Sequence, residues 1–402
     1  MMEFKPKLYL SSVDISILVN ELNSIVGRGA RFDKAYQMSE REFKIRIHIS
    51  GSGAFDLVIS PGYLFFTNYQ KQAPQTPTSF AMQIRKNLSG SFLRGFEQHD
   101  FDRIAIMRFE KPDMTFFLVA ELFGSGNLIL CRKDMKIIGL LEWQRWKDRK
   151  LGVGQVYKYP QAGNEFTFYK LNDNLNYEEN LKFFLKLMKD STKNTITTVA
   201  AKTGLGGAFS EEVCVSAGID MQSKAASLSD DKIKTLYSEI INLFKREKKP
   251  AIVSIGKMRV DAVPFKMEKY AFHESTEEIS YENFNSFNDA LDEYFSSKQA
   301  VSQSNEIDDR FKKKMEKLEL IKDEQKQTIE KLENSSLVYN ETGDLIYQSM
   351  NRVDEIIETI NSAQKSGKDY SEIMKIIESA REKNEDAKII KEIKDGKVLI
   401  DV

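Results

Sequence analysis

From Arg41 to Tyr69 the chain reads REFKIRIHISGSGAFDLVISPGYLFFTNY, and at its start Phe43, Ile45, Ile47 and Ile49 alternate with polar partners. A period of two places all four apolar side chains on one face of a strand and the polar ones on the other. This part of the chain is therefore expected in a sheet with one face covered. Ser60-Pro61-Gly62 supplies a turn, with proline presetting one backbone angle and glycine permitting the next, so GAFDLVIS and YLFFTNY read as paired strands. The runs DRIAIMRFE, MTFFLVAELF and NLILCRKDMKIIGLLEW continue the series, with breaks at Lys111-Pro112-Asp113 and Gly124-Ser125-Gly126. Ahead of them, SSVDISILVNELNSIV sets Ile15, Leu18, Val19, Leu22 and Ile25 on one helical face, with Ser12 or Asp14 as the cap. TPTSFAMQIRKNLSG is a second expected helix. Helices feeding an antiparallel sheet make an α+β domain, placed at residues 1–173.

After about Asn176 the period becomes helical. YEENLKFFLKLMKD and TITTVAAKTGLGGAFSEEVCVSAGID are followed by a helix from Asp230 to Lys248 and by the small α+β piece AIVSIGKMRVDAVPFKM. Within this stretch KTGLGGAFSEEVC joins two short helices through the turn containing Gly204, Gly206 and Gly207, with Glu211 and Glu212 early in the second helix. A helix N-terminus after such a turn presents N–H groups and a positive dipole end to phosphate, as helix–hairpin–helix elements do; an ordinary packed hairpin is the competing reading. This gives an expected second domain at 174–300. Beyond Glu306 the chain is rich in Lys, Glu, Asp and Ile and has no proline. Phe311, Met315, Leu318, Ile329 and Leu332 keep a heptad register that Lys322, Gln325 and Ser336 interrupt. With a turn expected at NETGD and a returning helix in LIYQSMNRVDEIIETI, residues 301–402 are expected to form an antiparallel coiled-coil hairpin.

At 402 residues the chain is long for a single core, and two or three domains are expected. Its formal charge is −1, from 59 basic and 60 acidic residues, so any polyanion binding must come from local patches. The two cysteines, Cys131 and Cys214, stand far apart without metal-ligand neighbours, which argues against a disulfide framework or a zinc site and for a reducing compartment. No signal sequence and no apolar run of roughly 18 residues is present, so a cytoplasmic protein without a membrane span is expected. P-loop, H-E-x-x-H, C-x-x-C and G-x-S-x-G patterns are missing, and His48, His99 and His273 are scattered. Neither a cofactor nor an enzymatic reaction is expected.

Local patches do exist. GRGARF carries Arg28 and Arg31, and QRWKDRK sets Arg145, Lys147, Arg149 and Lys150 around Trp146, next to Trp143. Mixed aromatic and cationic side chains suit base stacking with phosphate neutralisation, and equally a strand edge protected by charge. In HDFDRIAIMRF, Asp102 and Arg103 stand at the mouth of an apolar strand. An arginine beside an aspartate can be oriented by it and left as a planar donor for phosphate or a base edge. Successive strand residues face opposite ways, so both can meet one ligand only if the strand starts irregularly; the pair is expected at the loop–strand junction, near Asp14.

Taken in order, SSVDISILVNEL, FDRI, ELFGSGNLIL, GQVYKYP, GLGGAFSEEVCVSAGID and FNSFNDALDEYF, with a coiled coil after them, form a series that resembles the NFACT family of ribosome-associated quality-control factors. ELFGSGN looks closer to the archaeal and eukaryotic branch. The resemblance implies a glycosylase-like layout for the first domain. It also implies a cytosolic factor that binds the large ribosomal subunit holding stalled peptidyl-tRNA, engages tRNA and ribosomal RNA, and promotes non-templated C-terminal tailing of the nascent chain. Separately, a solvated helical rod of the length expected for the coiled coil suits reaching across a ribosomal surface or docking a protein partner. By motif, Asp14, Asp102 and Arg103 correspond to the family's tRNA-engaging residues, and Glu121, Gly124 and Asn127 to the neighbouring motif on the same surface. The family's C-terminal module is expected after the coiled coil, so the chain reads as the N-terminal part of a longer protein. Two other readings meet the sequence less well. A formamidopyrimidine-type glycosylase needs an N-terminal proline nucleophile, whereas here Met2 stands second and the first proline is Pro6. A surface adhesin needs an export signal.

Overall fold

The computed structural model describes residues 5–27, 29–70, 72–161, 177–272, 278–394 and 396–401, with side chains described except at 272, 298–314 and 316. Arg28 and His273, and the expected boundary at 173–174, lie outside the described residues, as does the side chain of Phe311. Two compact units are present, residues 1–302 and 303–402.

In the first unit the alternating runs become nine strands, β1 (Ala30–Gln37), β2 (Phe43–Ile49), β3 (Gly53–Ser60), β4 (Tyr63–Thr67), β5 (Phe92–Gln98), β6 (Ile104–Lys111), β7 (Met114–Glu121), β8 (Asn127–Arg132) and β9 (Ile137–Leu140). Among the described residues they form one antiparallel sheet in the order β4-β3-β2-β1-β5-β6-β7-β8-β9. In β2 the apolar Phe43, Ile45 and Ile47 are buried as expected and His48 is exposed, but Lys44 on the polar face is buried as well, paired with Asp56 at 3.2 Å. Where the register sets Arg46 opposite Asp56, the two form a bidentate pair at 2.7 and 2.8 Å, the cross-strand contact that a polar face allows.

Helix α1 (Ser12–Val26) and helix α2 (Ser79–Leu88) pack on this sheet. Ile15, Leu18, Val19 and Leu22 of α1 are buried, as their spacing predicts. Its cap differs from expectation. Ser11, with extended backbone, accepts the Asp14 N–H at 3.1 Å, and the Asp14 carboxylate accepts the Ser11 N–H at 2.8 Å. The helix therefore starts one residue earlier than a Ser12 cap would give, and Asp14 closes a capping box from inside the first turn.

Helices α3 (Tyr177–Lys189), α4 (Thr195–Thr203), α5 (Gly206–Ser216) and α6 (Asp230–Leu243) follow in the same unit. A small antiparallel sheet then forms from β12 (Ala251–Ile255), β13 (Met258–Val263) and β14 (Ile279–Asn283), in the order β13-β12-β14, with the short helix α7 (Lys269–Phe272) before β14. Two further short strands, β10 (Gln144–Arg145) and β11 (Lys150–Leu151), pair as a separate hairpin. Helix α8 (Phe287–Gln348) begins against β4. Asn288 bonds both the N–H and the carbonyl of Phe66, at 2.8 and 2.9 Å, and Asp292 accepts from the Thr67 hydroxyl and the Asn68 N–H. An otherwise open sheet edge is covered in this way.

The second unit contains the rest of α8, then α9 (Met350–Lys365), α10 (Tyr370–Ala380), α11 (Glu385–Ile389) and a hairpin of β15 (Ile390–Lys394) with β16 (Lys397–Ile400). The turn expected at Asn340–Asp344 is absent, because α8 runs straight through it. Nothing in NETGD forces a left-handed backbone: Gly343 has an ordinary φ, and Thr342 returns its hydroxyl to the Val338 carbonyl at 2.7 Å. Even at Ser349 the i→i−4 bonds continue on both sides, so the chain does not reverse there and the expected pairing of these two helices does not form. Reversal comes at Ser366–Asp369, where Gly367 takes φ +89° and Asp369 caps α10. Ile356, Ile360, Ile373, Ile390 and Ile393 close the core of this unit. The heptad residues Met315, Leu318, Ile329 and Leu332 stay exposed.

Candidate functional site

A cavity of about 720 Å³ lies in the first unit, where the segment before α1, the loop between β5 and β6, the connection between α4 and α5, and the edge of β13 come together. Asp14, Asp102, Arg103, Gly204, Gly206 and Gly207 all line it, although they come from three distant parts of the chain.

Lys7 forms the floor. Its ammonium is 3.0 Å from Asp14 Oδ1 and 2.8 Å from the Ala262 carbonyl. Asp261 Oδ1, also at 3.0 Å, completes the ion pair. On its other oxygen Asp261 accepts from the Tyr270 hydroxyl at 2.6 Å. Burial works against the Lys7 charge, but Asp14 and Asp261 outweigh it and hold the ammonium above its usual range. Burial pushes the Asp14 carboxyl up, against the pull of Lys7, because two carboxylates share one cation. The Tyr270 phenol is raised as well, by burial and by Asp261. A raised Lys7 stays protonated at neutral pH and is in that form a cation rather than a nucleophile.

Asp102 and Arg103 both reach the cavity because β6 starts irregularly. Asp100 and Phe101 take φ of +41° and +55°, and Phe101 is buried against Phe244. Gln98 ties this loop to α1, donating to the Ser12 carbonyl at 2.8 Å and to the Asp102 carbonyl at 2.9 Å. The expected orienting pair takes a different form. Asp102 accepts the backbone N–H of Arg103 at 2.7 Å, and the Arg103 guanidinium lies 5.7 Å from the centre of the Tyr9 ring. The aspartate fixes the backbone, and the fork of the arginine is left to Tyr9 and the cavity.

The N-terminus of α5 forms the opposite wall. Gly204 ends α4 in the left-handed region, and no side chain caps the start of α5. A Cβ on Gly206 would lie 3.7 Å from Ser11 Cβ, so the N-termini of α1 and α5 are neighbours. Glu212 is turned away and buried: it accepts the N–H groups of Glu268 and Lys269, each at 2.9 Å, and pairs with Arg246. Glu211 stays on the wall with Lys269 at 3.3 Å. Among the described lining residues Lys5, Lys7, Arg103 and Lys269 balance Asp14, Asp102, Glu211 and Asp261. A balanced cavity holds a ligand through placed donors and dipole ends more than through bulk charge.

The other predicted residues lie elsewhere. Glu121 is buried, with Arg149 at 2.6 and 3.2 Å and the Tyr157 hydroxyl at 2.8 Å, an arrangement that fixes the β10–β11 hairpin to β7. Asn127 is buried too and ties the Glu142 backbone to β8. Gly124 is exposed. Arg145 and Lys147 are exposed on the hairpin, where Trp146 covers the Arg149 guanidinium at 4.5 Å. Arg31 is exposed on β1. Sequence reasoning missed Lys7, Asp261 and Tyr9; a lone lysine, aspartate or tyrosine in such segments carries no local signal.

The class defined by this architecture is an antiparallel α+β sheet domain joined to a helical region and a long-helix unit. The family model described as NFACT N-terminal and middle domains matches residues 11–391, and the chain belongs to that family. It is 32% identical over 385 residues to "Archaeal Rqc2 homolog aRqcH" of Methanocaldococcus jannaschii, covering 94% of this chain and 55% of that protein. With "Ribosome quality control complex subunit NEMF" of Homo sapiens it shares 23% over 401 residues, covering 96% of this chain and 37% of that one. The chain thus spans about half, or less, of these relatives. Among solved structures, the N-terminal part of the fibronectin/fibrinogen-binding protein of Streptococcus suis has the same fold, with a TM-score of 0.54 and 20% identity over 72% of this chain and 99% of that one. Among the described residues, no helix is long and apolar enough to cross a membrane.

Proposed function

We propose that this chain is the tRNA-engaging part of a ribosome-associated quality-control factor. Its place of action is the large ribosomal subunit holding stalled peptidyl-tRNA, and it contacts tRNA and ribosomal RNA there. It presents tRNA for non-templated C-terminal tailing of the nascent chain, while peptide-bond formation stays with the ribosome. The names of the archaeal and human relatives support the quality-control role. The observation that carries the tRNA assignment is the convergence of Asp14, Asp102, Arg103 and the α4–α5 glycines on one cavity. The heptad face of α8 is the surface offered to a protein partner.

Crosslinking in the native host, followed by sequencing of the bound RNA, tests this reading. Large-subunit ribosomal RNA with a narrow set of tRNAs is expected, and the tRNA reads disappear in the Asp102→Ala/Arg103→Ala protein. Capture of neither RNA by folded wild-type protein would overturn the proposal.

A further inference from the structure

The segment from Lys7 to Leu10 is clamped at both ends. The Lys7 N–H donates to the Val260 carbonyl at 2.7 Å, and the Leu10 N–H donates to the Gly62 carbonyl at 2.7 Å. Lys7 and Leu10 send their side chains inward, and Leu10 is fully buried. Between them Leu8 and Tyr9 are 68% and 58% exposed. Gly62 permits this: a Cβ there would meet the Leu8 carbonyl oxygen at 2.7 Å and Tyr9 Cβ at 3.0 Å. A clamped backbone that presents a large aromatic ring to solvent loses little entropy when a ligand covers the ring. The ring lines the cavity with the Arg103 guanidinium over one face, 5.7 Å from its centre, which leaves the other face for a ligand.

We propose that Tyr9 is a stacking platform for one unpaired nucleobase of the bound RNA. This rests on the RNA-binding reading above and goes beyond it by adding a residue and a ligand class. Inside a duplex each base is covered on both faces by its neighbours, so the preferred ligand is a single-stranded loop whose base can be splayed out. With the base on the free face of Tyr9, Arg103 backs the ring from the other face and supplies a cation for the adjoining phosphate, and the uncapped N-terminus of α5 lines the same cavity. The cavity falls within the range of roughly 300–1,000 Å³ usual for small-ligand sites, which suits one nucleotide rather than a helix.

The test measures affinity of the 402-residue chain for purified tRNA and for a blunt RNA duplex, with salt titrations, in wild type, Tyr9→Ala and Tyr9→Trp. Tyr9→Ala should weaken tRNA binding roughly 5- to 150-fold, which at about 1.4 kcal/mol per tenfold is about 1–3 kcal/mol. Tyr9→Trp should restore it. The salt slope should stay the same, since no phosphate contact is lost, and duplex binding should not change. Equal tRNA binding by wild type and Tyr9→Ala overturns the stacking role and leaves the RNA reading intact. Equal losses for tRNA and duplex, or failure of tryptophan to rescue, also overturn it. If the folded wild type binds no tRNA, the RNA reading fails and the stacking role fails with it.

Discussion

Lys7 is the residue on which the site depends most. Replacing it with methionine leaves Asp14 and Asp261 facing each other under low exposure without a cation, a loss of about 3–5 kcal/mol at neutral pH. The pH dependence has a definite sign. The Asp14 carboxyl is already raised above its ordinary value of 3.8, so the folded chain binds its proton more readily than the unfolded one. Without Lys7 that carboxyl rises further, and part of the lost stability should return as the pH falls towards the ordinary carboxylate value. Urea denaturation at pH 7 and pH 5 checks this; a Lys7→Met protein that is as stable as wild type at pH 7 would contradict it. His99 has the opposite sense. Burial beside Tyr159, on which it stacks at 3.4 Å, lowers it below 6.5, so the unfolded chain takes up the proton first. Stability should decline as the pH falls from about 6.5 through the folded value, and His99→Phe should remove that decline in acid unfolding curves. The His99 carbonyl accepts the Asp102 N–H, so the loop that carries Asp102 is fixed at this residue.

The strands and helices were largely legible, since alternation over Phe43–Ile49 and the single face of α1 depend on neighbours in the sequence. The irregular start of β6 was not. Asp100 and Phe101 adopt left-handed backbone although neither is glycine, held by packing of Phe101 on Phe244 from a remote part of the chain. Among the residues lining the cavity, Asp14, Asp102, Arg103 and the α4–α5 glycines carry a sequence signal, through family motifs and turn chemistry. Lys7 and Asp261 do not, because only the tertiary fold brings β13 to the start of α1. The turn misread at NETGD has a local reason: its residues permit a turn without requiring one, and helix continues on both sides. A contrast within ELFGSGN tests how elements are joined. Gly126 has φ +69°, and a Cβ there would meet Pro61 Cα at 2.5 Å, whereas Gly124 has φ +58° with nothing within 4 Å. Gly124→Ala should cost about 1–2 kcal/mol for the backbone alone. Gly126→Ala should cost about 1–3 kcal/mol more, because β8 must move away from the β3–β4 turn. Thermal unfolding of the two variants separates them, and equal losses would contradict the placement of this turn.

Across the whole molecule the fold of the first unit gathers residues from the start of the chain, from the β5–β6 loop and from the α4–α5 connection around one cavity. The charged hairpin at Arg145 and Lys147 is a separate surface, fixed by the Glu121–Arg149 pair. Under the proposed function these two places are the alternatives for tRNA, and one comparison decides between them. Affinity for tRNA should be measured at fixed salt for wild type, Arg103→Ala and Arg145→Ala/Lys147→Ala, each shown to be folded. If the cavity is the tRNA site, Arg103→Ala loses about 1–3 kcal/mol of binding, or roughly 5- to 150-fold, while the hairpin variant keeps most of its affinity. Unchanged binding in Arg103→Ala together with a large loss in the hairpin variant would place tRNA on the hairpin and contradict the account.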